Sequence, residues 1–405
     1  MKNTIITDHT LIINELETSI KIHNLDFVLG FLPKGSYLVG GYIRDIILGR
    51  ETEKVDFDIV VPLNAIEIGK KIADYIGSKF IILDEKREVV RIILKHIYID
   101  IANQVSSTIE GDLHSRDFTI NSIAFLLNEK CLCDPLNGLK DLELSLLRTH
   151  SEKNLINDPL RILRCFRFVS EFNFKIDLDL ISFIKKNKGK LYLVAKERIN
   201  YEIHKIVHGA NALDAVILIK KINIFCIDNL SEDSFFLDLK KINFAELSQE
   251  EKEKFLPSFF ITQILDVVSL DKLKFNKAEI AKTKLLRKWH SFLKNKNTDQ
   301  LDELDRFKLH QELEMFLPSF IFYLPQNLRF DWLNRWRDKE DKLFHPSNLL
   351  NGDVIKKNLK IEDGPILGEL LQYLSKELAF KRLNNFDEAI YKAKQWIKQN
   401  APKCD

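Results

Sequence analysis

No charge of one sign dominates this chain. Its 405 residues carry 61 Lys and Arg against 59 Asp and Glu, a formal net charge of +2, so any surface for nucleic acid has to be a local patch. No run of about 18 consecutive apolar residues occurs, which excludes an ordinary transmembrane helix. The N-terminal stretch MKNTIITDHTLIINELETS places acids and polar groups where a secretory signal needs a continuous apolar segment. Cysteine is scarce. The five residues Cys131, Cys133, Cys165, Cys226 and Cys404 are odd in number and scattered. The C-x-C at 131–133 has neither a second pair nor a nearby histidine, which argues against zinc and for reduced core thiols. Low-complexity tracts and repeats are absent too. Together these absences predict a cytoplasmic protein with no membrane segment. At 45% hydrophobic and 30% charged residues, the chain reads as globular and long enough for two to four domains.

What is present is organised around residues 37–61, YLVGGYIRDIILGRETEKVDFDIVV. Tyr37, Leu38 and Val39 read as a short buried strand, broken by Gly40 and Gly41. Ile43, Ile46 and Ile47 then recur at helical spacing, so a helix begins at the glycines with Arg44 near its N-terminus. Bare backbone, free helix N–H groups and an arginine make a seat for a polyphosphate. The segment 55–61, VDFDIVV, reads as a second strand that buries Phe57 and Ile59 and puts Asp56 and Asp58 together on its other face. Two carboxylates about 7 Å apart on one strand have no packing role, because buried charge needs a partner or a cation. Oxygen ligands beside a phosphate seat suit Mg²⁺, which takes one or two carboxylates plus substrate phosphates. The implied chemistry is two-metal phosphoryl or nucleotidyl transfer.

The joined motif LVGGYIRDIILGR…DFDIVV resembles the active-site motif of class II tRNA nucleotidyltransferases and bacterial poly(A) polymerases, members of the polymerase β-like superfamily. Other segments extend the resemblance. SRDFTINSIA at 115–124 is similar to the family's R-R-D-F-T-x-N-A, with Ser115 in place of the first arginine. DPLNGLKDL at 134–142 matches D-P-x-x-G-x-x-D-L and is expected to end the sheet. NDPLRILR at 157–164 resembles E-D-x-x-R-x-x-R, with Asn157 in place of glutamate. KERINYEIHKI at 196–206 and segments within 348–398 match more loosely. The resemblance implies an α+β fold: a small mixed-sheet nucleotidyltransferase head at 35–150 behind an N-terminal helical extension at 1–34. An all-helical neck at 151–208, body at 209–345 and tail at 346–405 would follow.

It also implies roles. Asp56 and Asp58 would be catalytic and hold Mg²⁺, while Gly40, Gly41, Arg44 and Arg116 would seat the triphosphate. Asp117 would fix the motif or contact ribose, and Asn121 would support it. Asp158 and Arg161, at i and i+3 and so neighbours on one helix, with Arg164 beside them, would read the base. A carboxylate acceptor next to a guanidinium donor accepts cytosine and adenine alike and rejects uracil and guanine, which leave polar groups unpaired. Asp100, in YIDIA, is either a third carboxylate of the site or a solvated strand-end residue. Partners would be the tRNA 3′ end, CTP and ATP, with the lysine clusters near 185–190 and 272–288 on the RNA backbone. The pairs Arg198/Glu202 and Glu202/Lys205 read equally as a brace for the base-reading helix or as routine helix-face pairs. The interval from Asp58 to Arg116 is short and filled with strands, which leaves CCA, CC-only, A-only and poly(A) addition all open. A non-catalytic RNA-binding protein and a small-molecule nucleotidyltransferase are the rivals from other classes.

Overall fold

The computed structural model describes residues 5–50, 55–227, 233–296 and 298–400. The chain forms two compact units, Met1–Leu218 and Ile219–Asp405. In the first, seven strands form one mixed sheet. They are β1 (Tyr37–Val39), β2 (Val55–Val61), β3 (Lys79–Asp84), β4 (Val89–Leu94), β5 (Ile97–Asn103), β6 (Ala124–Leu126) and β7 (Cys131–Cys133), in spatial order β3-β4-β5-β2-β1-β6-β7. Every neighbouring pair is antiparallel except β2 with β5, so the acidic strand β2 lies in the interior of the sheet, between β1 and β5. Leu38, Phe57, Ile59, Ile99 and Ile101 alternate into the core as period 2 demands.

Among the described residues, ten α-helices lie wholly in this unit, together with a short parallel pair of strands, Leu146–Leu147 with Lys175–Ile176. The N-terminal helix α1 (His9–Ile22) buries Ile12, Leu16 and Ile20 at fourfold spacing, whereas Leu11 and Ile22 face outward. After α2 (Asp26–Leu29) comes α3 (Gly41–Ile47), the helix that starts at the glycines. Gly69 of α4 (Ala65–Ile76) lets this helix lie against the sheet, since a Cβ there would sit 2.5 Å from Val90 Cγ2. Then come α5 (Ile109–His114), α6 (Gly138–Glu143), α7 (Glu152–Asn157), α8 (Arg161–Phe172), α9 (Leu178–Asn187) and α10 (Lys196–His208). The turn expected at 134–138 ends the sheet: Asp134 accepts from the Gly138 and Leu139 amides at 2.7 and 2.9 Å.

Two expectations need correction. Cys131 and Cys133 are not core thiols: Cys131 is exposed and Cys133 half-buried, because β7 is a three-residue edge strand. Cys165 is buried, Cys226 is exposed, and Cys404 lies outside the described residues, as do residues 51–54 of the central motif. Nor do Asp158 and Arg161 share a helix. Pro159 disfavours helical geometry at the residue before it. Asp158 is therefore extended (φ −134°, ψ 90°) and sits between α7 and α8, joined to Arg161 by a turn in which the Arg161 amide donates to its carbonyl at 3.1 Å.

The second unit is helical: α11 (Ala212–Ile222) leads into it, then α12 (Gln249–Ile264), α13 (Val267–Lys272), α14 (Lys277–Asn295), α15 (Glu303–Leu313), α16 (Leu317–Phe320), α17 (Gln326–Arg337), α18 (Gly352–Leu359), α19 (Pro365–Ala379) and α20 (Phe386–Asn400). Phe235, Phe259, Phe307, Phe320, Phe322 and Phe344 fill its core. Trp332 and Trp336 pack between helices, as their spacing predicts. Trp332 lies 4.8 Å from the His310 ring, and Trp336 Nε1 donates to the Glu314 carbonyl at 2.6 Å. Asn385 caps α20 through the Glu388 amide at 2.9 Å, but Glu388 returns the bond to the Asn384 amide. No helix among the described residues is long and apolar enough to cross a membrane.

Candidate active site

β1 delivers the chain into Gly40 at φ +81°, ψ −142°, a conformation that suits glycine alone. Its register opposite β2 pairs Val39 with Asp58. A Cβ on Gly40 would sit 2.9 Å from Asp58 Oδ2 and 3.2 Å from Arg116 Nη1. Glycine backbone, carboxylate and guanidinium thus meet in one cleft. Asp56 is exposed on the same face of β2, while Phe57 between them is buried against Tyr42, with ring centroids 4.2 Å apart.

Asp100 lies directly opposite Asp58 in the parallel β2/β5 register. Burial pushes the Asp58 carboxyl up to about 6, with the charges of Asp100 and Asp56 adding to the effect and Arg116 opposing it. Arg91, opposite Asp100 on β4, grips that residue with two hydrogen bonds of 2.7 Å. Asp56 and Asp58 hold no ion pair among the described residues. Crowded carboxylates without a partner are a donor set suited to a hard cation. Among the described residues no three acidic, histidine or cysteine side chains are grouped to hold a metal, so a cation here would complete its shell from substrate and water.

Arg116 is aimed by Asp112. This 97%-buried carboxylate at i−4 takes its Nε and Nη2 at 3.3 and 3.2 Å, leaving Nη1 toward Gly40. Asn154 of α7 clasps the same segment through the His114 and Arg116 carbonyls at 2.7 and 2.8 Å. Asp117, by contrast, is embedded. Its Oδ1 accepts from the Phe118 amide and from Asn121 Nδ2, both at 2.9 Å, and its Oδ2 lies 2.7 Å from Arg164 Nη2. Burial alone would raise this carboxyl, but Arg164 and Asn121 outweigh it and hold it below its ordinary value. Arg44, expected in the phosphate seat, is buried as well. Its Nη1 donates to Asn121 at 2.7 Å, Nε and Nη2 donate to Asp45, and its plane lies over Phe172 and Phe168.

At the start of α8, Arg161 Nη1 donates to the Ser115 carbonyl at 3.0 Å, and Asp158 pairs with Arg198 of α10 at 3.1 Å. Asn157 is exposed and orients neither. The orientation that a glutamate there would supply comes instead from Ser115 and Arg198. Glu202 is more than a routine helix-face residue: buried, it pairs with Arg167 at 3.0 Å and fastens α10 to α8.

The structure therefore groups the expected residues in three sets. Gly40, Asp56, Asp58 and Arg116 line the cleft, Arg44, Asn121, Asp117 and Arg164 form a buried chain, and Asp158 with Arg161 flank Ser115. Gly41 sits inside the chain, its would-be Cβ 3.3 Å from Arg44 Nη2. Sequence reasoning missed Arg91, Asp112 and Asn154. Only Asp112 carried a signal, its i,i+4 spacing to Arg116.

Residues 36–148 match the family model for the Poly A polymerase head domain. Over nearly its whole length the chain is similar to the CC-adding tRNA nucleotidyltransferase of Synechocystis sp., 28% identical over 91% of this chain and 95% of that protein. The A-adding tRNA nucleotidyltransferase of Deinococcus radiodurans is 32% identical over 47% of this chain and 44% of its own. Among solved structures, a CCA-adding enzyme complexed with CTP aligns with TM-score 0.69 at 22% identity, covering 91% of each chain. The Thermotoga maritima CCA-adding enzyme complexed with tRNA aligns at 0.66, with 22% identity over 89% of this chain and 91% of that one. With the head motif, the mixed sheet and the helical remainder all in place, the chain carries a Poly A polymerase head domain at residues 36–148 and is similar over most of its length to a tRNA nucleotidyltransferase.

Proposed function

We propose that the protein adds C residues, A residues or both, from CTP and ATP, to the 3′ end of tRNA without a nucleic-acid template. The observation that carries this reading is the cleft in which Asp58 faces the Gly40 backbone and the Arg116 guanidinium, with Asp56 on the same face of β2 and neither acid in an ion pair among the described residues. The family is metal-dependent in general; here Mg²⁺ is the cation that Asp56 and Asp58 suit best. When bound it supplies a Lewis acid for the attacking 3′-hydroxyl and the α-phosphate.

The rest falls to the chain. The free Gly40 backbone and Arg116 Nη1 orient the triphosphate, and Asp112 keeps Arg116 from swinging onto Asp58. Asp117, buried between the Phe118 amide, Asn121 and Arg164, fixes the motif around the cleft. Asp158 accepts from the exocyclic amine of cytosine or adenine while Arg161 donates to the ring nitrogen. A base with a carbonyl in place of that amine strands both groups, which a dry pocket penalises by up to ~10⁴-fold.

CC addition is the outcome we favour. β5 ends at Asn103 and α5 begins at Ile109, so no long flexible segment separates the acidic strand from the Arg116 motif. The relative spanning nearly the full chain is named for CC addition. The same proposal takes in the head, neck, body and tail division and a cytoplasmic location. Incubating purified protein with tRNAs lacking the terminal CCA, lacking only the A, or complete, then sequencing the product ends, tests it. Two cytidines added to the first and nothing to the others is the expected result. Failure to extend any tRNA overturns the reading.

A further inference from the structure

The seven-stranded sheet of the head has two edges, and they are not alike. β7 is three residues long, which leaves little backbone to pair. β3, at the opposite edge, is six residues long, reads Lys79-Phe80-Ile81-Ile82-Leu83-Asp84, and pairs only with β4. Ile82 and Leu83 are 45% and 48% exposed. Tyr75, in the last turn of the helix that leads into β3, is exposed as well, with its ring 5.2 Å from that of Phe31. A row of free N–H and C=O groups beside apolar side chains invites another strand, so edges are commonly covered, cut short or interrupted by charge. β3 carries charge only at its two ends, and the two are of opposite sign.

We infer that β3 pairs antiparallel with β3 of a second copy of this chain, joining the two sheets edge to edge about a twofold axis. The register with β4 slips between Ile82 and Asp84, which makes Leu83 an extra residue with no partner of its own across the ladder. With Leu83 set aside, three apolar residues lie between Lys79 and Asp84, centred on Ile81. Turned about Ile81, the strand meets its copy with Lys79 opposite Asp84, Phe80 opposite Ile82, and Ile81 opposite itself. Each contact is then made twice, as a twofold interface requires. A shift of two residues in either direction leaves both charges without a partner, so the charges select the register. Lys79 is exposed, and Asp84 is only lightly engaged: its Oδ1 accepts from the Arg87 amide at 3.1 Å and its Oδ2 lies 3.8 Å from Arg87 Nε. One pair of six-residue strands is small beside the roughly 1,200 Å² of a stable interface. The dimer is therefore a weak one, with a Kd on the order of 10 µM.

Sedimentation equilibrium of the full chain between about 1 and 200 µM tests this, with thermal melting as the fold control and amide hydrogen exchange as the locator. The wild type should pass from monomer to dimer over that range, and the β3 amides should gain protection with concentration while those of β7 do not. Ile82→Lys, at an exposed position, is expected to weaken the dimer by at least ~10-fold. Lys79→Glu, which sets like charges opposite one another, should weaken it by roughly 3- to 10-fold, and adding Asp84→Lys should bring it back to within about 3-fold of the wild type. If Asp84→Lys lowers the melting temperature by disturbing the turn into β4, the Ile82→Lys and Lys79→Glu results decide. A monomer at every concentration overturns the inference and leaves the edge to a strand of another protein. A dimer that Ile82→Lys leaves intact, or one whose β3 amides stay unprotected, overturns it too. None of these readouts uses tRNA or nucleotide, so the result stands apart from the proposed function.

Discussion

The cleft and the buried chain beside it use the same residue types to opposite ends. In the cleft, Asp56 and Asp58 face one another's charge and that of Asp100 without an ion pair among the described residues, and the Asp58 carboxyl is pushed up to about 6 by burial and that crowding. In the chain, Asp117 is more deeply buried yet held below its ordinary value, because Arg164 and Asn121 supply the donors. An acid whose protein partners are missing is waiting for a ligand, and an acid whose partners are all present is part of the scaffold.

Substitutions at the two places should therefore separate activity from stability. Asp58→Ala is expected to cut nucleotide incorporation by ~10³-fold or more with no fall in melting temperature, since it relieves crowding by Asp100 and Asp56. Incorporation at the wild-type rate, or a lower melting point, would break the contrast. Asp117→Asn should do the reverse first, losing about 3–5 kcal/mol because Arg164 is left as an uncompensated, half-buried charge; denaturant unfolding of the head measures it. Gly40→Ala falls between. Its positive φ and the contact at 2.9 Å with Asp58 Oδ2 should cost about 1–3 kcal/mol of strain and reduce incorporation by roughly 10²-fold, read as kcat at constant KM for tRNA.

The helical unit supplies a comparison free of ligand chemistry. His310 is buried among aromatic rings, 3.9 Å from Phe344 and 4.8 Å from Trp332, and its Nδ1 has no hydrogen-bond partner among the described residues. Burial, reinforced by Arg335, lowers it to about 3. Unfolded, the imidazole takes a proton below about 6.5, while the folded protein refuses it down to about 3. Stability from this group is thus complete above pH 6.5 and drains away as the pH falls toward 3, by about 2 kcal/mol at pH 5. His310→Phe should remove that slope from the denaturant midpoint between pH 7 and 5, and an unchanged slope would assign it to other groups.

Much of this was legible in the sequence, for identifiable reasons. The alternation in VDFDIVV placed Asp56 and Asp58 on one face of β2, and the glycine pair marked both strand end and helix start. Local patterns of that kind survive folding because they depend on neighbours in sequence. Arg91 was invisible for the converse reason. Its partner Asp100 is set by the pairing of β4 with β5, which no spacing along either strand reveals. The place of Arg44 near a helix N-terminus shows in the sequence, but its hydrogen bond to Asn121, 77 residues away, does not. The i,i+3 spacing of Asp158 and Arg161 reads as helical, although Pro159 between them argues for the turn that is found. C-x-C among apolar residues suggested core thiols, and only the edge position of β7 shows otherwise.

The central claim is that two neighbouring acids on β2 hold a cation jointly with a nucleotide. Thermal melting with Mg²⁺, with CTP, and with both, in the wild type and in the Asp56→Asn/Asp58→Asn double variant, tests it most directly. The wild type should gain more from the two together than the sum of each alone, and the double variant should show no such excess. An excess that persists in the double variant would contradict the account.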